Sequence, residues 1–347
     1  MSVSTAVDPP PDDATLDERL STPTGADVAA LAALAGDILV LGAGGKMGPS
    51  LARLARRASE AAGIDRRVIA VSRFGTPGVT EALERAGVET IPSDLLDSAR
   101  LAALPDASNI IMMAGQKFGT DADPAATWAL NALLPGLVVR RFATARIVVF
   151  STGNVYPLTD AQGPGCGEDH PVGPAGEYAH SALARERIVT YVTGRHRTPC
   201  VIMRLNYAVE LRYGVLRDLA DHLVRREPID LTMGSVNLIW QRDANAIALR
   251  LLAHSAVPPL VVNVTGSETL SVRSLTKALA ARLGVEPVFA GSEAPTALLS
   301  NASRAHELFG GPTVEVETLI AWTADWVRRG GASLDRPTHF EEREGRF

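Results

Sequence analysis

The stretch "DILVLGAGGKMGPSLARLARRASEAAG", residues 37–63, constrains the fold more than any other. Apolar residues run straight into a glycine-dense turn, and the turn opens a segment whose apolar residues recur at helical spacing. A buried strand, a tight turn and a helix of about four turns account for that pattern. Glycines at 42, 45 and 48 let the backbone turn sharply, approach a ligand closely and aim the free N–H groups of a helix start at it. A pyrophosphate needs that geometry, so Gly42, Gly45, Lys46, Met47 and Gly48 are expected to cradle a dinucleotide. A strand-to-helix turn without a ligand is the plainer alternative.

The alternation continues along the chain. Strands are expected in "RRVIAVSRFG", "VETI", "ASNIIMMAG", "ARIVVFST" and "PCVIMRLN", with helical segments between them. This order predicts an α/β fold, a doubly wound parallel Rossmann sheet with helices on both faces. Beyond Asn206 the rhythm loosens into a smaller C-terminal α/β region. The expected organisation is a disordered tail over 1–20 and a dinucleotide-binding domain over 21–206, with returning segments at 235–265. A substrate-binding region follows, mainly over 207–330, and then a surface tail over 331–347. "STPTGADVAALAALAG" reads as a short capped helix.

A formal charge of -5 argues against nucleic acid, which needs a basic face. Cys166 and Cys200 stand far apart and the histidines lack ligand spacing, so neither a disulfide framework nor a metal site is expected. The Pro- and Asp-rich start is unlike a signal peptide, and no apolar run approaches the ~18 residues of a membrane span. A cytoplasmic protein with a small-molecule partner and no membrane partner is the expectation.

The second strand ends in "AVSRF", where a ribose-reading carboxylate would stand. Ser72 and Arg73 suit a 2′-phosphate instead, with Lys46 adding charge nearby, so NADP is expected over NAD. Solvated surface residues are the alternative for Arg73 and Lys46. In "SDLLD", Asp94 is expected to accept from the adenine amino group while Leu95 covers the ring. Ala114 and Gly115, after the fourth strand, are expected on the same cofactor. Thr152 ends the strand "ARIVVFST" and Tyr178 begins the helix "GEYAHSALARERIV". There a hydroxyl and a phenol can share one carbonyl oxygen, Thr152 orienting it and Tyr178 moving its proton. A tyrosine at a helix start also serves for packing.

Together these motifs resemble the extended short-chain dehydrogenase/reductases, the NAD-dependent epimerase/dehydratase family, over residues 37 to 330. "GAGGKMG" is similar to the family's Gly-x-x-Gly-x-x-Gly cradle and "SDLLD" to its adenine-side segment. "FSTGNVYP" is similar to the segment bearing its catalytic hydroxyl, and "EYAHSALARE" to its Tyr-x-x-Ser-Lys-x-x-x-Glu helix. "MRLNYAV" resembles the stretch beside nicotinamide and substrate, with Asn206 in the asparagine place. "IWQRDANAIALRLL" and "VVNVTGSETLSVRSLTKAL" resemble its substrate-side segments. The resemblance implies an NAD(P)-dependent oxidoreductase or epimerase acting on a small hydroxylated or carbonyl, sugar-like substrate through Thr152 and Tyr178. It also implies a homodimer formed by a helix bundle, for which "ATWALNALLPGLVV" is suitably apolar.

One position departs from the pattern: Ala182 stands where the family carries lysine. That lysine favours the ionised tyrosine and holds the cofactor ribose. Without it Tyr178 is expected to give a proton in reduction more readily than to take one, and dinucleotide binding is expected to weaken. His180 lies on the opposite helix face. Arg185 has the right face two turns away and is expected to reach solvent or the neighbourhood of Glu186. Lys117, in the loop after the fourth strand, is the candidate substitute cation, with a plain surface lysine as the alternative. Glu168 and Asp169 are candidates to contact a polyhydroxylated ligand. Two further readings stay open: a non-catalytic dinucleotide-binding sensor or partner protein, and a lyase or isomerase using the cofactor transiently.

Overall fold

Among the described residues seven short strands, most of them apolar, pair in parallel into one sheet. They are β1 (Ile38–Leu41), β2 (Val68–Ser72), β3 (Glu89–Pro92), β4 (Asn109–Met112), β5 (Arg146–Thr152), β6 (Cys200–Leu205) and β7 (Leu260–Val264). The computed structural model describes residues 8–347. Strand order is β7-β6-β5-β4-β1-β2-β3, so the chain winds outward in opposite directions from β1 and from β4. β1 and β4 are wholly buried, as strands covered on both faces must be. The reversal between them opens a crevice at their carboxyl ends, the usual ligand position in such sheets.

Among the described residues thirteen α-helices clothe the sheet and build the C-terminal region. In the first half of the chain they are α1 (Asp13–Ser21), α2 (Gly25–Ala32), α3 (Gly48–Ala61), α4 (Val79–Arg85) and α5 (Ser98–Ala102). α3 buries Leu51, Leu54, Ala55 and Ala58 on one face, the stripe a sheet-packing helix needs. The segment read as one helix after β4 is α6 (Pro124–Trp128) and α7 (Leu134–Arg141) joined by a π-helical turn, Ala129–Leu133. α8 (Gly176–His196) follows β5. Then come α9 (Val215–Arg225), α10 (Gln241–Arg250), α11 (Val272–Leu283), α12 (Ser303–Phe309) and α13 (Val316–Arg328). α9, α11 and α13 share a second core, in which Leu219, Leu279 and Trp326 are buried.

Both chain ends depart from expectation. The tail expected to be disordered over 1–20 contains α1, whose Leu16 and Leu20 are fully buried in that second core. Residues 1–7 of the expected tail lie outside the described residues. A Pro- and Asp-rich flank masked two leucines at helical spacing. The expected capped helix is α2, closed by a reciprocal Thr24–Asp27 capping box.

Residues 331–347 do not form a loose surface tail. Thr338 and Phe340 are buried. Thr338 donates from its N–H (2.8 Å) and hydroxyl (2.5 Å) to Asp218, and Arg343 donates to the carbonyls of Thr232 (2.9 Å) and Thr296 (2.7 Å). The segment then crosses to the other side of the crevice. There Gly345 abuts Gly176 at the start of α8, and the Phe347 carbonyl accepts from the Thr120 N–H and hydroxyl, both at 3.0 Å. It forms a strap over the crevice.

Among the described residues no helix is long and apolar enough to cross a membrane, and no group of three His, Cys, Asp or Glu side chains could hold a metal ion.

Candidate active site

The glycine turn sits at the sheet's reversal point. Gly42 has φ +92°, and a Cβ there would lie 2.6 Å from Ala114 Cα, so the loops after β1 and β4 touch only because residue 42 has no side chain. Gly48 is pressed against Ala43 in the same way. Gly45 differs: it is exposed, and a Cβ there would meet only the Gly42 carbonyl at 3.5 Å. The first turn of α3 has no side-chain cap. An exposed glycine beside uncapped helix N–H groups fits a pyrophosphate.

The structure separates the expected cofactor contacts. Ser72 lies under the cradle, where a Cβ on Gly44 would meet its hydroxyl at 2.6 Å, and Arg73 is exposed. Lys46 is not beside them. Its ammonium turns the other way, donating to the Ala208 carbonyl (3.0 Å) and lying 3.6 Å from the Tyr213 ring centroid. Leu95 does not cover a ligand, because it is buried beneath the sheet with Leu39 and Ile69. Asp94 accepts from the Leu96 N–H at 3.0 Å, which folds the loop after β3. Met47 is buried as the residue preceding α3.

Thr152 and Tyr178 line one cavity of about 240 Å³, together with Lys46, Lys117, Arg185 and Asn206. Thr152 Oγ1 accepts from the Asn154 N–H (3.2 Å) and Nδ2 (3.0 Å), so its own hydrogen is available to a ligand oxygen. The Tyr178 ring meets the Phe347 ring edge-on, centroids 5.5 Å apart. Asn206 is buried, its amide donating to Asn237 at 3.2 Å. The adjacent Tyr207 has φ +42°, an uncommon conformation for an aromatic residue that concentrates at functional sites.

Arg185 does not reach solvent. It is buried, and it donates to the carbonyls of Asn131 (2.8 Å) and Phe150 (2.5 Å) and to Asn131 Oδ1 (2.8 Å). Its long side chain leans toward the helix start, as helical side chains do, and runs under Gly115, where a Cβ would lie 2.8 Å from Nη2. Burial pulls its guanidinium down from its ordinary value, with Tyr178 and Glu186 opposing. Asn131, within the π-helical turn, also accepts from the Gln116 N–H (2.8 Å) and donates to Ser181 (3.0 Å). The sequence signal was a lone Asn in an apolar helical run shortly before Pro135. π-turns of this kind recur at functional sites.

Lys117 lines the cavity as expected, but its ammonium donates to the strap's Thr338 carbonyl (2.8 Å) and lies 4.4 Å from the Phe347 ring centroid. Enclosure pushes it down to about 8, against the pull of Asp218 and Glu341. Enclosure likewise lowers Lys46, with Glu210 opposing.

Beneath the site a buried network joins four elements. Glu186 of α8 accepts from Ser151 of β5 (2.5 Å) and from Arg204 of β6 (2.9 and 2.6 Å). Arg204 donates to the Tyr156 hydroxyl (2.7 Å), which donates to Asn263 of β7 (2.8 Å). Glu168 belongs to this framework, accepting from the Asn263 N–H at 2.9 Å, whereas Asp169 is exposed and 3.8 Å from Arg304.

Sheet, cradle and crevice define a class of nucleotide-binding enzyme with the short-chain dehydrogenase architecture. The model of the NAD dependent epimerase/dehydratase family matches residues 38–226, and the chain belongs to that family. Several solved structures share the fold. Pal from Bacillus thuringiensis is 17% identical with a TM-score of 0.70, over 84% of this chain and 99% of that one. UDP-glucuronic acid 4-epimerase from Bacillus cereus, solved with NAD, is 18% identical with a TM-score of 0.69, over 84% and 97%. UDP-glucose 4-epimerase from Thermus thermophilus, also with NAD, is 19% identical with a TM-score of 0.69, over 85% and 99%. No curated protein matches the chain by sequence.

Proposed function

We propose that the protein is an NAD(P)-dependent oxidoreductase or epimerase-type enzyme acting on a small hydroxylated or carbonyl substrate. The observation that carries this reading is the meeting of Thr152 and Tyr178 on one cavity beside the glycine cradle. Gly42, Gly45, Gly48 and the start of α3 would hold the pyrophosphate, and Ala114, Gly115 and Asn206 would flank the nicotinamide half. When bound, the nicotinamide gives or takes hydride at the reacting carbon. Thr152, its lone pairs turned to Asn154, donates to the substrate oxygen, and Tyr178 gives or removes the proton.

Ala182 leaves the usual cation missing from α8. Arg185 supplies a fixed charge in its place, buried on the face that carries Tyr178 and held by Asn131 and Phe150. Lys117, the other candidate, is turned to the strap. Ser72 and Arg73 support NADP(H) as the preferred form, without help from Lys46. Arg73→Asp should weaken NADPH more than NADH, and equal losses would remove that preference. A homodimer is supported by Leu133 at the end of the π-helical turn and Tyr191 of α8, which are 54% and 74% exposed. Light scattering of wild type and Tyr191→Glu tests it.

Thr152→Val and Tyr178→Phe are each expected to lower turnover about 10²-fold or more while leaving NADPH and NADH titrations unchanged. Binding without turnover on any carbonyl or alcohol panel would favour the sensor reading, which the loss of lysine at 182 otherwise supports.

A further inference from the structure

Only three of the 34 lysine and arginine residues are lysines, Lys46, Lys117 and Lys277. Two of the three meet in the crevice. Neither has a carboxylate within 4.0 Å among the described residues. Their partners are the carbonyls of Ala208 and Thr338 and the ring faces of Tyr213 and Phe347. The cavity wall carries three cations, Lys46, Lys117 and Arg185, and no Asp or Glu, in a chain of formal charge -5. Their direct acceptors are neutral, and the carboxylates of Glu210, Asp218 and Glu341 act on them only from beyond ion-pair distance, so the two enclosed ammoniums still raise the local concentration of anions. Arg185 is satisfied by three hydrogen bonds, whereas each ammonium holds a single carbonyl and has donors to spare.

Size limits what can enter. The strap covers part of the crevice beside Tyr178, where the cavity is about 240 Å³ and is lined also by Gly115 and Asn206, which would flank the nicotinamide. The space left for a substrate is therefore smaller still, well below the roughly 300–1,000 Å³ that larger ligands occupy. We propose that the substrate is a small carboxylate-bearing polyol or oxo acid of sugar-acid size, its carboxylate received by Lys46 and Lys117 beneath the strap and its reacting oxygen set at Thr152 and Tyr178. This assignment deepens the enzymatic reading and rests on it for the position of the reacting oxygen. The ligand chemistry is set by the lysines themselves. Lysine suits the task as a compact point charge on a flexible stem.

The test is isothermal titration of the full chain with sodium D-gluconate and D-glucuronate, against D-glucose and sorbitol as neutral counterparts and UDP-glucose as the nucleotide arm. Each is run with and without saturating NADPH or NADH. The free acids are expected to bind and the neutral polyols and UDP-glucose to bind at least about tenfold more weakly, ~1.4 kcal/mol. Lys117→Met and Lys46→Met should each weaken the acids about tenfold, with Lys117→Arg and Lys46→Arg restoring much of the affinity and melting temperatures reporting folding. Equal binding of neutral and acidic sugars overturns the assignment, as does tighter binding of UDP-glucose or no binding of either acid. If Lys46→Met and Lys117→Met lower dinucleotide affinity as much as acid affinity, the lysines serve the pyrophosphate and the assignment also falls. Acid binding without any dinucleotide binding would instead retain the anion pocket and remove the enzymatic reading.

Discussion

Arg204→Met tests whether the site is held by the buried network beneath it. Arg204 gives two hydrogen bonds to Glu186, at 2.9 and 2.6 Å, and one to Tyr156 at 2.7 Å. Both partners of the ion pair are 7% exposed at the side chain, so removing the guanidinium leaves Glu186 charged and unpaired. Breaking such a pair costs about 3–5 kcal/mol. With an unfolding entropy of about 2.1 cal/mol/K per residue over 347 residues, the melting temperature should fall by about 4–7 °C. Glu186→Leu should cost a similar amount. The double variant Glu186→Leu/Arg204→Met removes both charges and leaves without a donor or acceptor the Ser151 hydroxyl, one Tyr156 contact and the long contact to the Glu168 carbonyl (3.3 Å), about 1–2 kcal/mol. The cycle should therefore return a coupling of several kcal/mol by denaturant titration. Turnover should fall in both single variants, since Glu186 ties the helix bearing Tyr178 to the residue before Thr152. Single losses below about 1 kcal/mol, or a double loss equal to the sum of the singles, would refute the reasoning.

Three further outcomes are expected. Lys117, whose ammonium is lowered to about 8, faces Asp218 and Glu341 and lies near Lys46. With Lys46 lowered to about 7 and Lys117 to about 8 by their enclosure, affinity for D-gluconate should hold below about 7 and fall as pH rises from about 7 through 8, and a flat profile to pH 9 would contradict charged lysines at the site. Because the folded value of Lys117 is depressed below the usual lysine value, the unfolded chain binds more protons between about 8 and ~10.5, and this group's contribution to stability rises with pH in that window. Ending the chain at Phe340 removes the Thr120 and Tyr178 contacts of Phe347. It should raise KM for small acids and admit larger ligands, and unchanged kinetics would deny the strap a role. Ala182 is fully buried with Val155, Tyr156 and Leu183, so Ala182→Lys should cost about 1–3 kcal/mol by overpacking and, on the proposal that Arg185 takes the lysine's place, bring no gain in alcohol oxidation. A more active variant would show that the site was merely de-tuned.

Six of the sheet's strands were legible, most of them because a sheet covered on both faces demands continuous apolar runs, while β7 was read only as part of a returning segment. The cradle was legible because Gly42 and Gly48 answer close backbone approaches. Thr152 and Tyr178 were legible through strand end and helix start, positions set by short-range pattern. Lys46 was misplaced because a turn's backbone, not its composition, decides where its side chain points. Arg185 was misjudged because its acceptors, Asn131 and Phe150, come from other elements and no local pattern announces them. Leu95 was read as ligand cover, but one apolar residue after a strand serves a core equally well. The strap was missed because its anchors, Thr338, Phe340 and Phe347, are sparse in a polar run and gain meaning only from the surfaces they meet.

A fluorescence titration of NADPH and NADH into wild type and Gly45→Ala addresses the cradle itself. A methyl at 45 meets nothing closer than the Gly42 carbonyl at 3.5 Å, so it leaves the fold undisturbed and intrudes only on what lies over the turn. Wild type should bind at least one dinucleotide at micromolar concentration, and Gly45→Ala should bind it at least about tenfold more weakly, ~1.4 kcal/mol, at an unchanged melting temperature. Undiminished binding by Gly45→Ala, or no binding by wild type, would contradict a dinucleotide seated on this turn beside Thr152 and Tyr178.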